Sequence, residues 1–292
     1  MQYDTGKVGE LYWKTYEGDC RKIMSKEMLV NSVDCIVTSP PYWQRRSYGE
    51  VPHQDGNVGT WSYSSSTKVQ ENEIGNGCTY EQYINDLEEV IEGCYEILKE
   101  NKFMFINIGN KHKDKELMDY SHDIIRSAKE KGFIHCETII WLKKNPQPPG
   151  RYKGLYLGNA WEYILMFAKG KNYKIYDEQY LNTKSHYICT NCKKDNYMEL
   201  EAHPNYIYSN IGCFGKKDKL LHSHPAVFPI DIPKFCISLA TREEEVVFDP
   251  FVGSGTSLQA ALQLGRNAIG CELIPSLYKN LVENMNRLIR QN

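Results

Sequence analysis

EVVFDPFVGSGTSLQAALQLGRNAIGCEL, residues 245–273, carries three structural signals in one stretch. Val246, Val247 and Phe248 are a short apolar run, as a buried strand is. Asp249 ends that run. Gly253 and Gly255 follow in a turn, where glycine permits positive φ and lets a ligand approach the backbone closely. Residues 255–265 read as a helix, whose first turn presents free N–H groups. Residues 267–273 read as the next strand. The phosphate loop of nucleotide hydrolases ends in Gly-Lys-Ser/Thr, and no lysine is present here. The dinucleotide fingerprint needs a glycine three residues after Gly255, where this chain has Leu258. A plain connection between strand and helix uses the same glycines, so the turn alone names no ligand.

The pattern repeats outward. Residues 11–13, 34–39, 102–109, 133–142 and 161–170 read as strands. Residues 79–100 place Tyr83, Leu87, Val90, Ile91, Cys94, Ile97 and Leu98 at helical spacing, with Thr79 and Gln82 as a capping box. Residues 121–132 read as a helix stopped by Gly132, 231–241 as another, and 275–291 as a last helix with Pro275 in its first turn. Seven strands alternating with helices predict an α/β fold: a doubly wound, mostly parallel sheet covered on both faces. Ligands of such sheets bind beyond the carboxyl ends of the strands. Two segments break the rhythm. Residues 44–79 are polar and rich in Gly and Ser. Residues 170–223 are basic and rich in tyrosine. Loops of that length in a compact domain are commonly functional or disordered.

Two further features sit on the ligand side. Glu272 ends the strand after the glycine turn, where an acid suits bidentate hydrogen bonding to a ribose diol. A surface Glu near the helix start at Pro275 is the plainer alternative. CIVTSPPYWQ, residues 35–44, ends a buried strand in a small hydroxyl, a stiff corner and two flat rings. Pro40 and Pro41 restrict the backbone, and a proline carbonyl has no N–H of its own residue beside it. Ser39, the Pro40 carbonyl and the Tyr42 and Trp43 rings suit a planar heterocycle with an exocyclic amine. A tight corner with core aromatics is the alternative.

The bulk numbers narrow the class. The 292 residues are 41% hydrophobic and 25% charged, as in a soluble globular protein. No apolar run reaches the roughly 18 residues that span a bilayer, and the first residues lack signal-peptide character, which predicts a cytoplasmic location. Net charge is −2, yet residues 143–222 hold 13 Lys/Arg against 7 Asp/Glu. A basic segment on an acidic body fits a nucleic-acid footprint or a solvated insertion. The ten cysteines are scattered and do not form a disulfide framework. Only Cys189 and Cys192 lie close together. They resemble one knuckle of a zinc ribbon, with no second Cys pair to complete it, and no metal is assigned.

TSPPYW (38–43) and DPFVGSGT (249–256) resemble motifs IV and I of the S-adenosylmethionine-dependent amino-methyltransferases of DNA. Residues 18–20, 31–43, 80–110, 224–237 and 267–273 resemble that family as well. The Pro-Pro motif precedes the glycine motif, an order similar to the permuted β group, in which target recognition lies between the two. The C5-cytosine enzymes need a Pro-Cys nucleophile, and no such dipeptide occurs here. The resemblance implies a Rossmann-like, circularly permuted catalytic domain over 1–169 and 224–292. It also implies a target-recognition segment over 170–223 and a mobile loop over 44–79.

By the same resemblance, Asp249, Phe251, Gly253, Ser254, Gly255 and Thr256 cradle S-adenosylmethionine. Glu272 holds its ribose, Asp19 reaches its adenine, and His224 and Pro225 begin the stretch near its methionine end. Ser39, Pro40, Pro41 and Tyr42 take a base flipped from duplex DNA. Trp43, Arg45, Arg46, Lys193, Lys194, Lys216 and Lys217 are expected to contact DNA. Ser at position 39 is the variant linked to N4-cytosine; Asp or Asn is more usual for N6-adenine. The remaining alternative is an inert DNA-binding module of the same fold. A companion restriction endonuclease is a candidate partner, and the enzyme is expected as a monomer or homodimer.

Overall fold

The computed structural model describes residues 2–43, 71–113, 115–146, 155, 157–176, 184–188, 195–199, 205–211 and 229–291. The chain begins with a hairpin, β1 (Gln2–Val8) and β2 (Leu11–Glu17), then α1 (Cys20–Glu27) and β3 (Val33–Thr38). Next come α2 (Tyr80–Ile97), β4 (Leu98–Ile108), a small hairpin of β5 (Lys111–Lys113) and β6 (Glu116–Met118), and α3 (Tyr120–Glu130). The middle of the chain supplies β7 (Ile134–Lys143), β8 (Trp161–Ala168), β9 (Lys184–Ile188), β10 (Asp195–Glu199) and β11 (Tyr206–Ser209). It ends with α4 (Asp231–Ala240), β12 (Val246–Asp249), α5 (Thr256–Gln263), β13 (Asn267–Glu272) and α6 (Pro275–Gln291).

All seven strands read from the sequence lie in one sheet, in the order β2-β13-β12-β3-β4-β8-β7. Two edge strands extend it to nine among the described residues: β1 beside β2 and β11 beside β7. Only β1 and β8 run against their neighbours. The strand β11 falls within the segment read as an insertion, yet it pairs in register with Ile140 to Lys143 of β7. The β9–β10 hairpin forms a sheet of its own.

The central strand shows why the sheet is two-faced. All six residues of β3 are buried. Ile36 packs with α1, α2 and α3. Its neighbours Cys35 and Val37 pack with α4, α5 and α6. A strand turns alternate side chains to opposite faces, so a continuous apolar run requires helices on both. Each fully buried aliphatic side chain contributes about 1.5–3 kcal/mol relative to exposure.

The helix signals hold with one change. Thr79 caps α2 by accepting from the Gln82 N–H at 3.2 Å, but the Gln82 side chain turns to Asp86 at 3.1 Å. The capping box is half formed. Buried cysteines at 20, 35, 94, 236 and 271 are core residues outside any disulfide, and burial pushes their thiols up.

The parallel neighbours β12 and β3 form the switch point of the sheet. From β12 the chain crosses by α5 to β13 on one side; from β3 it crosses by α2 to β4 on the other. Their ends are tied by Asp249, which is fully buried and accepts from Thr38 Oγ1 at 2.7 Å. Thr38→Val removes that donor and is expected to cost about 1–3 kcal/mol, read as a fall in the denaturant midpoint with unchanged slope.

Candidate active site

The glycine turn and the Pro-Pro corner emerge side by side from β12 and β3. Asp249 builds the turn from below. Its carboxylate accepts from Ser257 Oγ at 2.5 Å, from Thr38 Oγ1, and from the Phe251 N–H at 2.9 Å. It is expected from the sequence to line the cofactor cradle, but it does not line the cleft: its oxygens are turned to the protein's own donors. Gly253 and Gly255 have φ of 52° and 93°, and Gly255 is the N-cap of α5 with no side chain capping the helix. A Cβ at Gly255 would sit 2.8 Å from Leu281 Cδ1 of α6. Asn284 of the same helix donates to the Ser254 carbonyl at 3.1 Å. Ser254 and Thr256 hydroxyls face each other at 3.4 Å, and Thr256 is buried.

An open cleft lies at these strand ends, with about 650 Å³ of empty space counted together with the solvent at its mouth. Three of the expected cofactor residues, Asp19, Phe251 and Glu272, line it, with Pro41 from the corner. The sequence reading missed Asn72, Glu73 and Ile74, which also line it. They belong to the end of the 44–79 segment, where Ile74 is buried in the core against the α2 face. A lone apolar residue in a polar, glycine-rich stretch carries no periodic signal.

Asp19 does more than the sequence suggested. It caps α1 through the Arg21 N–H at 3.0 Å and holds the Arg21 guanidinium through both oxygens, at 3.0 and 2.9 Å. Arg21 in turn reaches Asp86 of α2 at 2.9 Å. Glu272 accepts from the Ile274 N–H at 2.9 Å. Burial pushes its carboxyl up to about 7, against backbone N–H groups of Ile274, Gly253 and Leu273 that pull it down. Burial likewise pushes Asp249 up to about 6, against Ser257, Thr38 and the Phe251 N–H.

At the corner, Pro40 and Trp43 are buried and Ser39, Pro41 and Tyr42 half-buried. The Tyr42 hydroxyl donates to Glu162 Oε2 at 2.9 Å. Trp43 is corrected: expected to face DNA, it is a core residue at 3% exposure. Its Nε1–H donates to the Cys78 carbonyl at 3.1 Å, and its ring packs edge-on against Tyr80. A large apolar ring next to the α2 face finds the interior, not the solvent. Lys113 of the β5–β6 hairpin lies over the Trp43 ring at 4.3 Å. Arg45, Arg46, Lys193, Lys194, Lys216, Lys217, Cys189, Cys192, His224 and Pro225 lie outside the described residues. Among the described residues no group of three His, Cys, Asp or Glu is placed to hold a metal, and no helix is long and apolar enough to cross a membrane.

A family model described as DNA methylase, N6/N4 type, matches residues 33–283. The chain belongs to this N6/N4 DNA methylase family. It is a DNA methylase, and S-adenosylmethionine is its methyl donor. A buried acid (Glu272) and a ring (Phe251) meet in the cleft beside Pro41 of the corner, while Gly253, Ser254, Gly255 and Thr256 do not line it. The chain is 29% identical over 283 residues to the Type II methyltransferase M.MjaI of Methanocaldococcus jannaschii, covering 91% of this chain and 88% of that one. It is 26% identical to M.SmaI of Serratia marcescens, covering 82% and 80%. The fold matches the cytosine-N4-specific PvuII DNA methyltransferase at a TM-score of 0.67, with 17% identity over 96% of this chain and 93% of that one. It also matches a putative DNA modification methylase of Thermus thermophilus, solved with S-adenosylmethionine, at 0.59, with 23% identity over 94% and 95%.

The raised carboxyls give opposite pH trends for stability and binding. Both acids bind a proton more readily in the folded protein than in the unfolded chain. Stability of the ligand-free enzyme therefore falls as pH rises from the ordinary carboxylate range to about 7, the Glu272 value. If Glu272 holds the ribose diol, as the sequence leads us to expect, its ionised form is the better acceptor and affinity for the cofactor rises over the upper part of that window. Calorimetric titration with S-adenosylmethionine between about pH 5 and pH 8 is expected to show that rise, and Glu272→Gln to flatten it while weakening binding.

Proposed function

We propose that this methylase transfers a methyl group to the exocyclic N4 amine of cytosine in duplex DNA at one short sequence. Ser39 carries the reading. It follows Thr38, whose hydroxyl is taken by Asp249, is half-buried, and is proposed to offer the base a small neutral acceptor. The N4 amine is a poor nucleophile because its lone pair is delocalised into the ring. Ser39 Oγ and the Pro40 carbonyl accept its hydrogens, which favours a pyramidal nitrogen with its lone pair free. Tyr42 stacks on the flipped base. Bound in the cleft, S-adenosylmethionine supplies an electrophilic methyl on a sulfonium sulfur. Residues of the corner and the cleft hold the two reactants in line, and positioning and electrostatics carry the rate.

The cytosine-N4-specific label of the PvuII enzyme supports this reading, as the same fold carries that activity. Gly253, Ser254, Gly255, Thr256, Phe251, Glu272 and Asp19 are proposed to hold the cofactor. Residues 170–223 are proposed to read the target, with Lys193, Lys194, Lys216 and Lys217 on phosphates, and Arg45 and Arg46 in the 44–79 loop. A companion restriction endonuclease is proposed on the Type II naming of the relatives.

Modification-sensitive sequencing of DNA from a methylation-free bacterial host expressing this chain tests the proposal. The expected result is N4-methylcytosine at one short sequence, reduced at least about a hundredfold in Ser39→Ala and Tyr42→Ala. N6-methyladenine overturns the reading of Ser39 and leaves the enzyme standing. No mark from a well-expressed chain that binds S-adenosylmethionine points to the inert DNA-binding module.

A further inference from the structure

The Tyr42 hydroxyl ends on a buried ion pair that neither the glycine turn nor the Pro-Pro corner accounts for. Glu162, near the start of β8, takes the Tyr42 O–H on Oε2 at 2.9 Å and the Lys143 ammonium on Oε1 at 2.9 Å. Lys143 ends β7 and also donates to Asn159 Oδ1 at 3.1 Å. The two charged side chains are 6% and 9% exposed.

The backbone is shaped around the carboxylate. Since β8 runs antiparallel to β4, its first residues lie at the ligand end of β4, where Ile108 pairs with Tyr163. The next residue after Ile108 is Gly109. A Cβ there would sit 3.0 Å from both Cγ and Cδ of Glu162. Absence of that carbon lets the Glu162 side chain lie across the strand end toward Tyr42. On the other side, the Lys143 N–H donates to the Ala160 carbonyl at 2.8 Å, which fixes the start of β8 against β7.

A buried ion pair is poor at adding stability, because desolvating two charges costs about as much as their attraction returns. Its value lies in placing a charged acceptor at a fixed point. A hydrogen bond from a phenol to a carboxylate is stronger than one between neutral groups. Of the two rings of the corner Tyr42 is the half-buried one, and this bond sets its ring relative to the sheet.

We propose that Glu162, held by Lys143, is a positioning residue: it fixes the Tyr42 ring for stacking on the flipped base. The inference rests on the reading of Tyr42 as the base-stacking residue. A second consequence is geometric. The register of β7, β8 and β4 sets the base site, so the half of the sheet beyond β3 takes part in catalysis without touching either reactant.

Methyl transfer from radiolabelled S-adenosylmethionine to unmethylated bacterial genomic DNA, in the full chain, tests this. Tyr42→Phe keeps the ring and the ion pair and deletes only the hydroxyl. The expected result is a fall in kcat of about tenfold in Tyr42→Phe and a similar fall in Glu162→Gln, with cofactor affinity by calorimetry unchanged in both. Glu162→Gln takes the charge from the acceptor and Tyr42→Phe deletes the donor, so both act on one bond and the double variant is expected to be no slower than the slower single one. If Glu162→Gln does not fold, Glu162→Gln combined with Lys143→Met removes both charges and takes its place. Wild-type kcat in Tyr42→Phe overturns the proposal, as do additive losses in the double variant. Tyr42→Ala separates the two levels. Wild-type activity there overturns base stacking itself, whereas loss there with wild-type activity in Tyr42→Phe overturns only the positioning role.

Discussion

A carboxylate sealed at the end of β12, with the Thr38 and Ser257 hydroxyls and the Phe251 N–H around it, joins three segments of the site. Thr38 is 211 residues away in the chain. Burying a charge without partners costs several kcal/mol, and each of the three donors offsets part of that cost at Asp249. That demand for donors fixes where β3 stops relative to β12. It orients the first turn of α5 through Ser257. It also leaves the α5 N–H groups without a side-chain cap from this residue, although Asp is a preferred capping type. The carboxylate serves the architecture, and no side chain caps the start of α5.

Much of the fold was legible because its signals are local and periodic. Fully buried β3 and amphipathic α2 have runs long enough to read directly. The strand–turn–helix around Gly253 and Gly255 has glycines at positions where φ is in fact positive. The misses share a physical cause. The strand β1, QYDTGKV, is an edge strand with one face open and has no apolar run. The helix α1 is eight residues long and is held by its Asp19 cap and by Arg21 across to α2. The strand β11 has four residues and exists through pairing with β7. Each forms through tertiary contact, to which a window along the chain is blind.

The site divides along the same line. Asp19, Phe251, Glu272 and the Pro-Pro corner were readable as types in the right place after a strand. Asn72, Glu73, Ile74 and Glu162 were not, because the tertiary fold brings them in from other segments. Trp43 went the opposite way. A ring two residues after a Pro-Pro pair has the composition of a stacking platform, but packing against Tyr80 and a bond to the Cys78 carbonyl settle it inside. Composition identifies what a residue is able to do; the partners within reach decide which of those things it does.

The order of the two motifs along the chain is immaterial to this chemistry, and the sheet explains why. Neighbouring strands lie roughly 4.8 Å apart. With β12 and β3 in parallel register, Val247 opposite Cys35 and Phe248 opposite Ile36, the glycine turn and the corner must open next to each other. Connectivity affects how the pair is reached, not where it ends. From β3 the chain completes one half of the sheet before β12 arrives, so the central pairing is among the most distant in sequence. Closing a loop of that length costs little more than closing a shorter one, since the entropy grows only with its logarithm. Formation of such a contact is slow, however, because the intervening chain must be ordered before the contact stabilises anything. The buried Thr38–Asp249 bond then has a further role that follows from position alone. It satisfies Asp249 only when the two halves are docked in the correct register, so a docked but misregistered sheet leaves a charge buried and short of a donor.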